Sequence, residues 1–261
     1  MQSIKLSDNQ QIRNLKKEYF LKKNKINNRL NEFDKFYNKP YSWFYKNNEM
    51  ELRQVNKNDD ERIFEELCFC IFTANTSAEM GLKAVDAVRI LLINGTQEEM
   101  TKHLEGIYRF NVLRPSYIIH TREYLKNNFN FKLKNKIESL KNSKGIFGVP
   151  KISKKFSSTL KENPIELRNF FAFNKGIKGL GYKEASHFLR NIGFKGYAIL
   201  DKHILNSLLE FNIIDKIKTP LTSKVYYEIE EKMKLFSNEI EIPMDDLDLL
   251  LWSRRTGRIL K

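Results

Sequence analysis

The chain has 261 residues, of which 41% are hydrophobic and 12% aromatic, so it can build one large domain or two small ones and is not globally disordered. Its 46 Lys and Arg against 32 Asp and Glu leave a formal net charge of +14, which favours binding to polyanions, nucleic acid before an anionic membrane. Cys68 and Cys70 are the only cysteines. Two cysteines exclude a disulfide framework, a four-cysteine zinc site and an iron–sulfur cluster, so we predict no metal and no cofactor.

The sequence contains no apolar run of about 18 residues, and its N-terminus lacks the apolar region of a signal peptide. We therefore expect an intracellular protein of the cytoplasm or nucleoid that does not enter a membrane. We also expect a monomer.

The first predicted element is a basic, amphipathic helix over residues 11–37. An ordinary surface helix and a phosphate-contacting helix both fit this pattern. Residues 61–73 have apolar side chains at helical spacing, and Asp59 or Asp60 is a suitable N-cap for that helix. The polar segment 73–78 then breaks the pattern.

A second apolar helical pattern follows and is predicted to end at Asn94-Gly95. Thr96-Gln-Glu-Glu99 has the spacing of a capping box and predicts the start of a third helix. Leu113-Arg-Pro115 predicts the start of a fourth, because proline is tolerated in the first turn of a helix.

Residues 141–160 contain two glycines and a proline and are predicted to form a loop or insertion. Asn163-Pro164 predicts the start of a fifth helix over about residues 164–174. Alternating strand patterns are almost absent, so the predicted fold class is all-α, with helices of 10–16 residues.

The most informative stretch is 176–193, in which the turn Gly179-Leu180-Gly181 leads directly into a helix. Glycines allow a close backbone approach, and the N–H groups of a helix N-terminus attract anions such as a DNA phosphate. The spacing predicts a polar face on this helix, opposite its apolar stripe. The residues of that face are Lys183, Ser186, His187 and Arg190.

Asp201 follows an apolar run and has the chemistry of a helix N-cap. A second interpretation is functional. The 18-residue step from Lys183 to Asp201 is enough to finish one helix, turn, and bring the carboxylate back beside the amine.

These motifs resemble the helix-hairpin-helix superfamily of DNA glycosylases, and within it the archaeal-type 8-oxoguanine DNA glycosylase/AP lyases. The similarity covers about residues 60–261, and Lys178 stands where the superfamily hairpin usually has proline. It is carried by four segments, Cys68-Phe-Cys-Ile-Phe-Thr-Ala-Asn-Thr-Ser-Ala78, Tyr108-Arg-Phe110, Gly179-Leu-Gly-Tyr-Lys-Glu-Ala-Ser-His-Phe-Leu-Arg-Asn191 and Leu247-Asp-Leu-Leu-Leu-Trp-Ser-Arg-Arg-Thr-Gly-Arg-Ile-Leu-Lys261.

The resemblance implies an enzyme that excises 8-oxoguanine from double-stranded DNA and cleaves the abasic site. It assigns Lys183 as the nucleophile at C1′ and Asp201 as its electrostatic partner. It places Gly179, Gly181 and Lys178 against the DNA backbone. The expected base-recognition residues are His187, Trp252, Lys261, Asn75 and Ser77, each of which also has a purely structural interpretation as a solvated, core, tail or capping residue.

The resemblance further implies two helical subdomains with the hairpin at the cleft between them. One would comprise residues 67–195, and the other residues 1–66 together with 196–261. Two other functions stay open. One is an endonuclease III-like pyrimidine glycosylase, although the four-cysteine cluster usual in that class is absent. The other is a hairpin module that binds DNA without catalysis.

Overall fold

The computed structural model describes residues 10–47, 49–141, 165–217 and 221–261. Eleven helices and one β-hairpin form within these ranges, which confirms the all-α class. The helices are α1 (Gln10–Asn38), α2 (Asp59–Thr73), α3 (Ala78–Val88), α4 (Gln97–Leu104), α5 (Leu113–Phe129), α6 (Leu133–Lys141), α7 (Ile165–Phe173), α8 (Tyr182–Asn191), α9 (Lys202–Glu210), α10 (Ser223–Glu239) and α11 (Met244–Thr256). The antiparallel hairpin pairs β1 (Tyr41–Lys46) with β2 (Glu49–Gln54).

The N-cap of α2 differs from the prediction. Asn58 caps the helix, because its side chain accepts a hydrogen bond at 2.9 Å from the N–H three residues further on. The two acidic residues that were expected to cap instead bind α6. Asp59 accepts from Lys134 Nζ at 2.5 Å, and Asp60 accepts from the Lys134 main-chain N–H at 2.7 Å.

The end of α3 also differs from the prediction. The helix stops at Val88 and tightens into a 3-10 turn over Arg89–Leu91, before the expected Asn94-Gly95. At this point the Arg89 guanidinium binds the main-chain carbonyl of Trp43 in β1 at 2.7 Å. The sequence around residue 89 does not reveal this long-range contact.

Local sequence motifs correctly predicted where the next helices begin. Thr96 and Glu99 form the complete capping box at the start of α4, with hydrogen bonds of 2.7 and 3.2 Å. Helix α5 begins at Leu113 and α7 at Ile165, as expected. The predicted loop at 141–160 lies outside the described residues apart from Lys141, the last residue of α6, and so does the Asn163-Pro164 cap.

The core is organised around α2 and α8, which pack against each other. Every residue of α2 from Arg62 to Thr73 is buried, and α3, α5 and α6 surround it. Cys68 and Cys70 are fully buried there, and burial raises the pKa of both thiols well above its usual value. They act as small apolar core residues.

The two ends of the chain pack together, because α1 lies along α11. Tyr19 donates a hydrogen bond to Asp246 at 2.8 Å, and Lys22 donates to Ser253 at 3.1 Å. None of the described helices is both long and apolar enough to cross a bilayer.

Candidate active site

The turn between α7 and α8 is fixed by hydrogen bonds at both ends. Asn174 accepts from the main-chain N–H groups of Gly176 and Ile177, each at 2.9 Å. The N–H of Lys178 donates to the hydroxyl of Thr121 in α5 at 3.0 Å. The predicted helix-hairpin-helix is therefore present, and α5 supports its turn.

The two hairpin glycines have different structural roles. Gly179 has φ +83°, and a Cβ there would lie 2.8 Å from the ring of Tyr117, so only glycine fits. Gly181 has φ −105°, and a Cβ at this position would contact only the Glu184 carboxylate, at 3.3 Å. Its N–H donates to that carboxylate at 3.2 Å, which closes the first turn of α8.

This turn presents unused hydrogen-bond donors. Within the described ranges, no group accepts a hydrogen bond from the N–H of Gly179, Leu180, Tyr182 or Lys183. The side chain of Lys178 is exposed beside them. Free N–H groups at a helix N-terminus, together with a cation, form a suitable site for a phosphate anion.

Lys183 lies in the first turn of α8, and its side chain is 28% exposed. Its ammonium group pairs with the neighbouring Glu184 carboxylate at 3.0 Å. It forms no ion pair with Asp201 within 4 Å, so the structure does not bring these two predicted partners into direct contact. The amine is thus accessible at the turn that offers the free N–H groups.

Asp201 is the N-cap of α9. Its Oδ1 accepts hydrogen bonds from the main-chain N–H groups of His203 and Ile204, both at 2.8 Å. No described residue donates to Oδ2, and the side chain is only partly buried. The capping interpretation is therefore confirmed, and one carboxylate oxygen is left for a ligand.

The polar residues predicted for one face of α8 are present, but most of that face is buried. Ser186, His187 and Arg190 are all buried, and only Lys183 is partly exposed. The reason is that their partners come from distant parts of the chain. Arg190, for example, pairs with the buried Asp248 of α11 at 2.6 Å.

His187 is not a solvated histidine, because its ring is buried and packs edge-on against Phe69 with centroids 5.5 Å apart. Burial is the main cause that holds its pKa well below 6.5, and the charges of Arg190, Lys183 and Lys261 add to it. A hydrogen bond with the main chain of Lys261 opposes the shift. The imidazole is therefore neutral, and no residue of the described ranges forms a hydrogen bond with its Nε2.

Lys261, at the end of the sequence, is buried rather than frayed. Its Nζ lies 2.5 Å from Glu66 Oε2 and 4.0 Å from the ring centre of Phe69. Asn191 at the end of α8 donates to the other Glu66 oxygen at 2.7 Å. The side chain of Lys261 is thereby removed from solvent, while its main chain lies at His187.

Glu66 is a residue of the site that sequence reasoning missed. The available signal was an acidic pair, Glu65-Glu66, inside an apolar helical run. A buried carboxylate without a partner is costly, so this pair indicated that a cation had to come from elsewhere in the chain.

The segment after α2 lies close to the hairpin. Arg114 donates to the Ala74 carbonyl at 2.8 Å, and its guanidinium lies 3.4 Å from the position of a Cβ at Gly179. Asn75 is exposed with φ +61°, and Ser77 caps α3 by accepting from the N–H three residues on at 3.1 Å. Trp252 is half-buried against the core. The residue before Asn75 is thus linked to the hairpin through Arg114, and Ser77 has its capping role.

Comparisons with known proteins agree with this geometry. The model of the 8-oxoguanine DNA glycosylase family matches residues 45–242. The chain is 36% identical over 212 residues to the 8-oxoguanine DNA glycosylase/AP lyase of Methanocaldococcus jannaschii, covering 81% of this chain and 88% of that protein. It is also 36% identical over 241 residues to the protein of the same name from Fusobacterium nucleatum, covering 91% and 100%.

Two solved structures share the fold. The M. jannaschii 8-oxoguanine glycosylase/lyase in complex with a 15mer DNA containing 8-oxoguanine superposes with a TM-score of 0.70 at 33% identity, covering 95% of this chain and 99% of that one. The 8-oxoguanine DNA glycosylase of Thermotoga maritima gives a TM-score of 0.69 at 27% identity, covering 96% and 98%. With the hairpin, the helical fold and these matches together, the chain belongs to the helix-hairpin-helix family of 8-oxoguanine DNA glycosylases.

Proposed function

We propose that this protein excises 8-oxoguanine from double-stranded DNA and then nicks the resulting abasic site, as a DNA N-glycosylase and AP lyase. The observation that carries the proposal is the placement of Lys183. A partly exposed amine lies in the first turn of α8, directly beside the free N–H groups of a hairpin suited to a DNA phosphate. The chain belongs to a family whose named relatives are glycosylase/AP lyases.

The chemistry begins with extrusion of the damaged nucleotide, since C1′ is inaccessible in a stacked duplex. The amine of Lys183 attacks C1′, the glycosidic bond breaks, and the base leaves with its electron pair. The attached nitrogen then loses a proton, and its lone pair expels O4′ of the sugar, which takes up a proton as the ring opens and leaves a protonated Schiff base at C1′. This Schiff base makes a C2′ proton acidic, and removal of that proton expels the 3′ phosphate by β-elimination.

Two features of this chain support the role of Lys183. Lys183 lies in the first turn of α8 with its amine partly exposed, so an extruded nucleotide can reach it. The unpaired Oδ2 of Asp201 is available to stabilise the positive charge that develops on the sugar. The Lys183 amine pairs with the Glu184 carboxylate at 3.0 Å in the structure.

For base recognition we propose the surroundings of His187 and the main chain of Lys261. 8-Oxoguanine carries a hydrogen on N7 where guanine has a lone pair, so an acceptor aimed at N7 distinguishes the two bases. Leaving such an acceptor unpaired costs about 1–3 kcal/mol. Trp252, Asn75 and Ser77 stay in this proposal as further contacts to the extruded base or to the duplex around it.

We also propose the division into subdomains 67–195 and 1–66 with 196–261. The packing of α1 along α11 supports a unit made from both termini. The boundary at residue 66/67 falls inside α2. This helix would therefore be shared by the two subdomains and would line the cleft between them. Because its substrate is cellular DNA, an intracellular location is part of the proposal.

Cleavage of a panel of duplexes tests the function. The panel carries 8-oxoguanine, thymine glycol, uracil or an abasic site, and the proposal predicts cleavage of the first and the last. Preferred cleavage of thymine glycol would favour the endonuclease III-like alternative. Binding to every duplex without cleavage would favour the non-catalytic hairpin module.

A further inference from the structure

The segment 198–200, immediately before Asp201, has an unusual set of hydrogen bonds. Each of its three main-chain N–H groups donates to a buried side chain instead of to another backbone group. The acceptors in chain order are Glu230, Asp248 and Tyr226, at 2.9, 3.2 and 3.2 Å. The Tyr226 hydroxyl also donates to the carbonyl of residue 198 at 2.6 Å, so it clamps the segment from both sides.

Two of these acceptors are bonded directly to α8, the helix that carries Lys183. Asp248 pairs with Arg190 of α8 at 2.6 Å, and both side chains are buried. The Tyr226 hydroxyl lies 3.3 Å from Ser186 Oγ, also in α8. The segment before Asp201 is thus connected to the Lys183 helix through side chains rather than through the intervening backbone.

The third acceptor reaches the same helix through α7. Glu230 forms a two-pronged ion pair with the buried Arg168 of α7, at 2.7 and 2.8 Å. Arg168 also donates to Ser186 of α8 at 3.2 Å. A planar guanidinium that holds a carboxylate with two hydrogen bonds fixes its orientation as well as its distance.

We propose that Tyr226, Glu230 and Asp248 are positioning residues that hold the Asp201 carboxylate in register with Lys183. This inference rests on the proposed function, in which Asp201 stabilises the charge on the sugar. Since Asp201 has no direct contact with Lys183, its distance from the reacting sugar is set by what holds the segment before it. A displacement of about 1 Å in a catalytic group costs up to about 100-fold in rate.

The test uses Tyr226→Phe, which removes one oxygen atom and keeps the ring. The matched control is Tyr37→Phe, because Tyr37 also donates one hydrogen bond, to Glu138 at 2.5 Å, and this bond does not involve segment 198–200. For each full-length variant we would measure thermal unfolding, duplex Kd and the single-turnover rate of 8-oxoguanine excision. We expect Tyr226→Phe to lower that rate by about 10-fold or more with Kd within about 2-fold, while Tyr37→Phe keeps the wild-type rate.

A double-mutant cycle separates positioning from a general loss of stability. If Tyr226 acts through Asp201, Tyr226→Phe changes the residual rate of Asp201→Asn by less than about 2-fold. Asp248→Asn, which alters the second acceptor, is combined with Asp201→Asn in the same way. This second cycle tests the inference if Tyr226→Phe does not fold.

Three results would overturn the inference and leave the proposed function intact. They are a full excision rate in Tyr226→Phe, the same fold-loss in the Asp201→Asn background, or an equal loss in Tyr37→Phe. A wild-type excision rate in Asp201→Asn itself would instead remove Asp201 from the proposed mechanism, and the inference with it.

Discussion

Glu66 of α2 and Lys261 form an ion pair at 2.5 Å with both side chains buried, although they are 195 residues apart in the sequence. The pair fixes the C-terminal segment against the core. It also places the Lys261 main chain at His187, whose Nε2 has no hydrogen-bond partner among the described residues. We therefore propose that the end of the tail, together with His187, forms the base-recognition region.

Replacing Glu66 by Gln should release this tail. Removing one charge of a buried pair leaves the other uncompensated, at a cost of about 3–5 kcal/mol. We expect a lower free energy of unfolding, and a larger loss in 8-oxoguanine excision than in cleavage of a preformed abasic site, which needs only Lys183 and the hairpin. Parallel assays on the two substrates, at a temperature where the variant is folded, measure this difference.

The control for that variant is Glu123→Gln, which removes a carboxylate of an exposed ion pair on α5. It should leave both activities unchanged, because exposed pairs contribute little to stability. Equal losses on the two substrates in Glu66→Gln would show that the tail does not read the lesion.

His187 should make the stability of the protein depend on pH in a definite direction. Its pKa is lowered in the folded state by burial, so below about pH 6.5 the unfolded chain binds a proton that the folded protein does not. This group therefore removes stability as pH falls from 6.5, by at most about 1.4 kcal/mol per pH unit.

Urea unfolding of wild type and His187→Asn at pH 7.5 and pH 5.5 measures the effect. The wild type should lose more free energy of unfolding than the variant between the two values. If wild type and variant lose the same free energy of unfolding, the folded protein binds a proton on His187 at pH 5.5. The interpretation of His187 as a neutral buried imidazole is then wrong.

The sequence was informative where structure depends on neighbouring residues. The capping box at Thr96, the hairpin turn at Gly179 and the capping chemistry of Asp201 are local signals, and all three are present in the structure. The β1–β2 hairpin was missed because β1 does not alternate between buried and exposed residues, so it lacks the period of a half-buried strand.

The sequence was least informative where a polar side chain has a distant partner. Periodicity placed Ser186, His187 and Arg190 on the polar face of α8 but did not show that each of them is buried. Arg190 is compensated by Asp248, 58 residues later. A single sequence contains the charges of such a pair but not the fold that brings them together.

The two hairpin glycines should respond differently to alanine. Gly179→Ala places a side chain at φ +83° and against Tyr117, so it should destabilise the fold by about 1–3 kcal/mol as well as weaken DNA binding. Gly181→Ala has an ordinary φ and little steric conflict, so it should fold normally and weaken only the approach of a phosphate.

Thermal unfolding and duplex Kd, measured with and without 8-oxoguanine, test this contrast. Gly181→Ala should weaken both duplexes by the same factor. Weakening confined to the lesion-containing duplex would contradict a role in holding the backbone.

Lys178 should contribute to affinity for any duplex through its charge. A chain with a net charge of +14 is expected to release several counterions on binding, so log Kd rises steeply with log salt. Lys178→Gln should reduce that slope by about 1 without changing the preference for 8-oxoguanine. A salt titration of binding by wild type and variant gives both slopes, and an unchanged slope would place Lys178 away from the phosphates.

The central claim is that Lys183 forms a covalent intermediate with the sugar, and borohydride trapping tests it most directly. The full-length protein is incubated with 8-oxoguanine duplex and sodium borohydride, and the cross-linked residue is identified by peptide mass spectrometry. Lys195→Gln, which alters an exposed lysine paired with Asp34, serves as the control. We expect the cross-link on Lys183, its complete loss in Lys183→Gln with duplex Kd within a few-fold of wild type, and normal trapping in Lys195→Gln. Normal nicking of 8-oxoguanine DNA by Lys183→Gln, or a cross-link on another amine, would contradict the account.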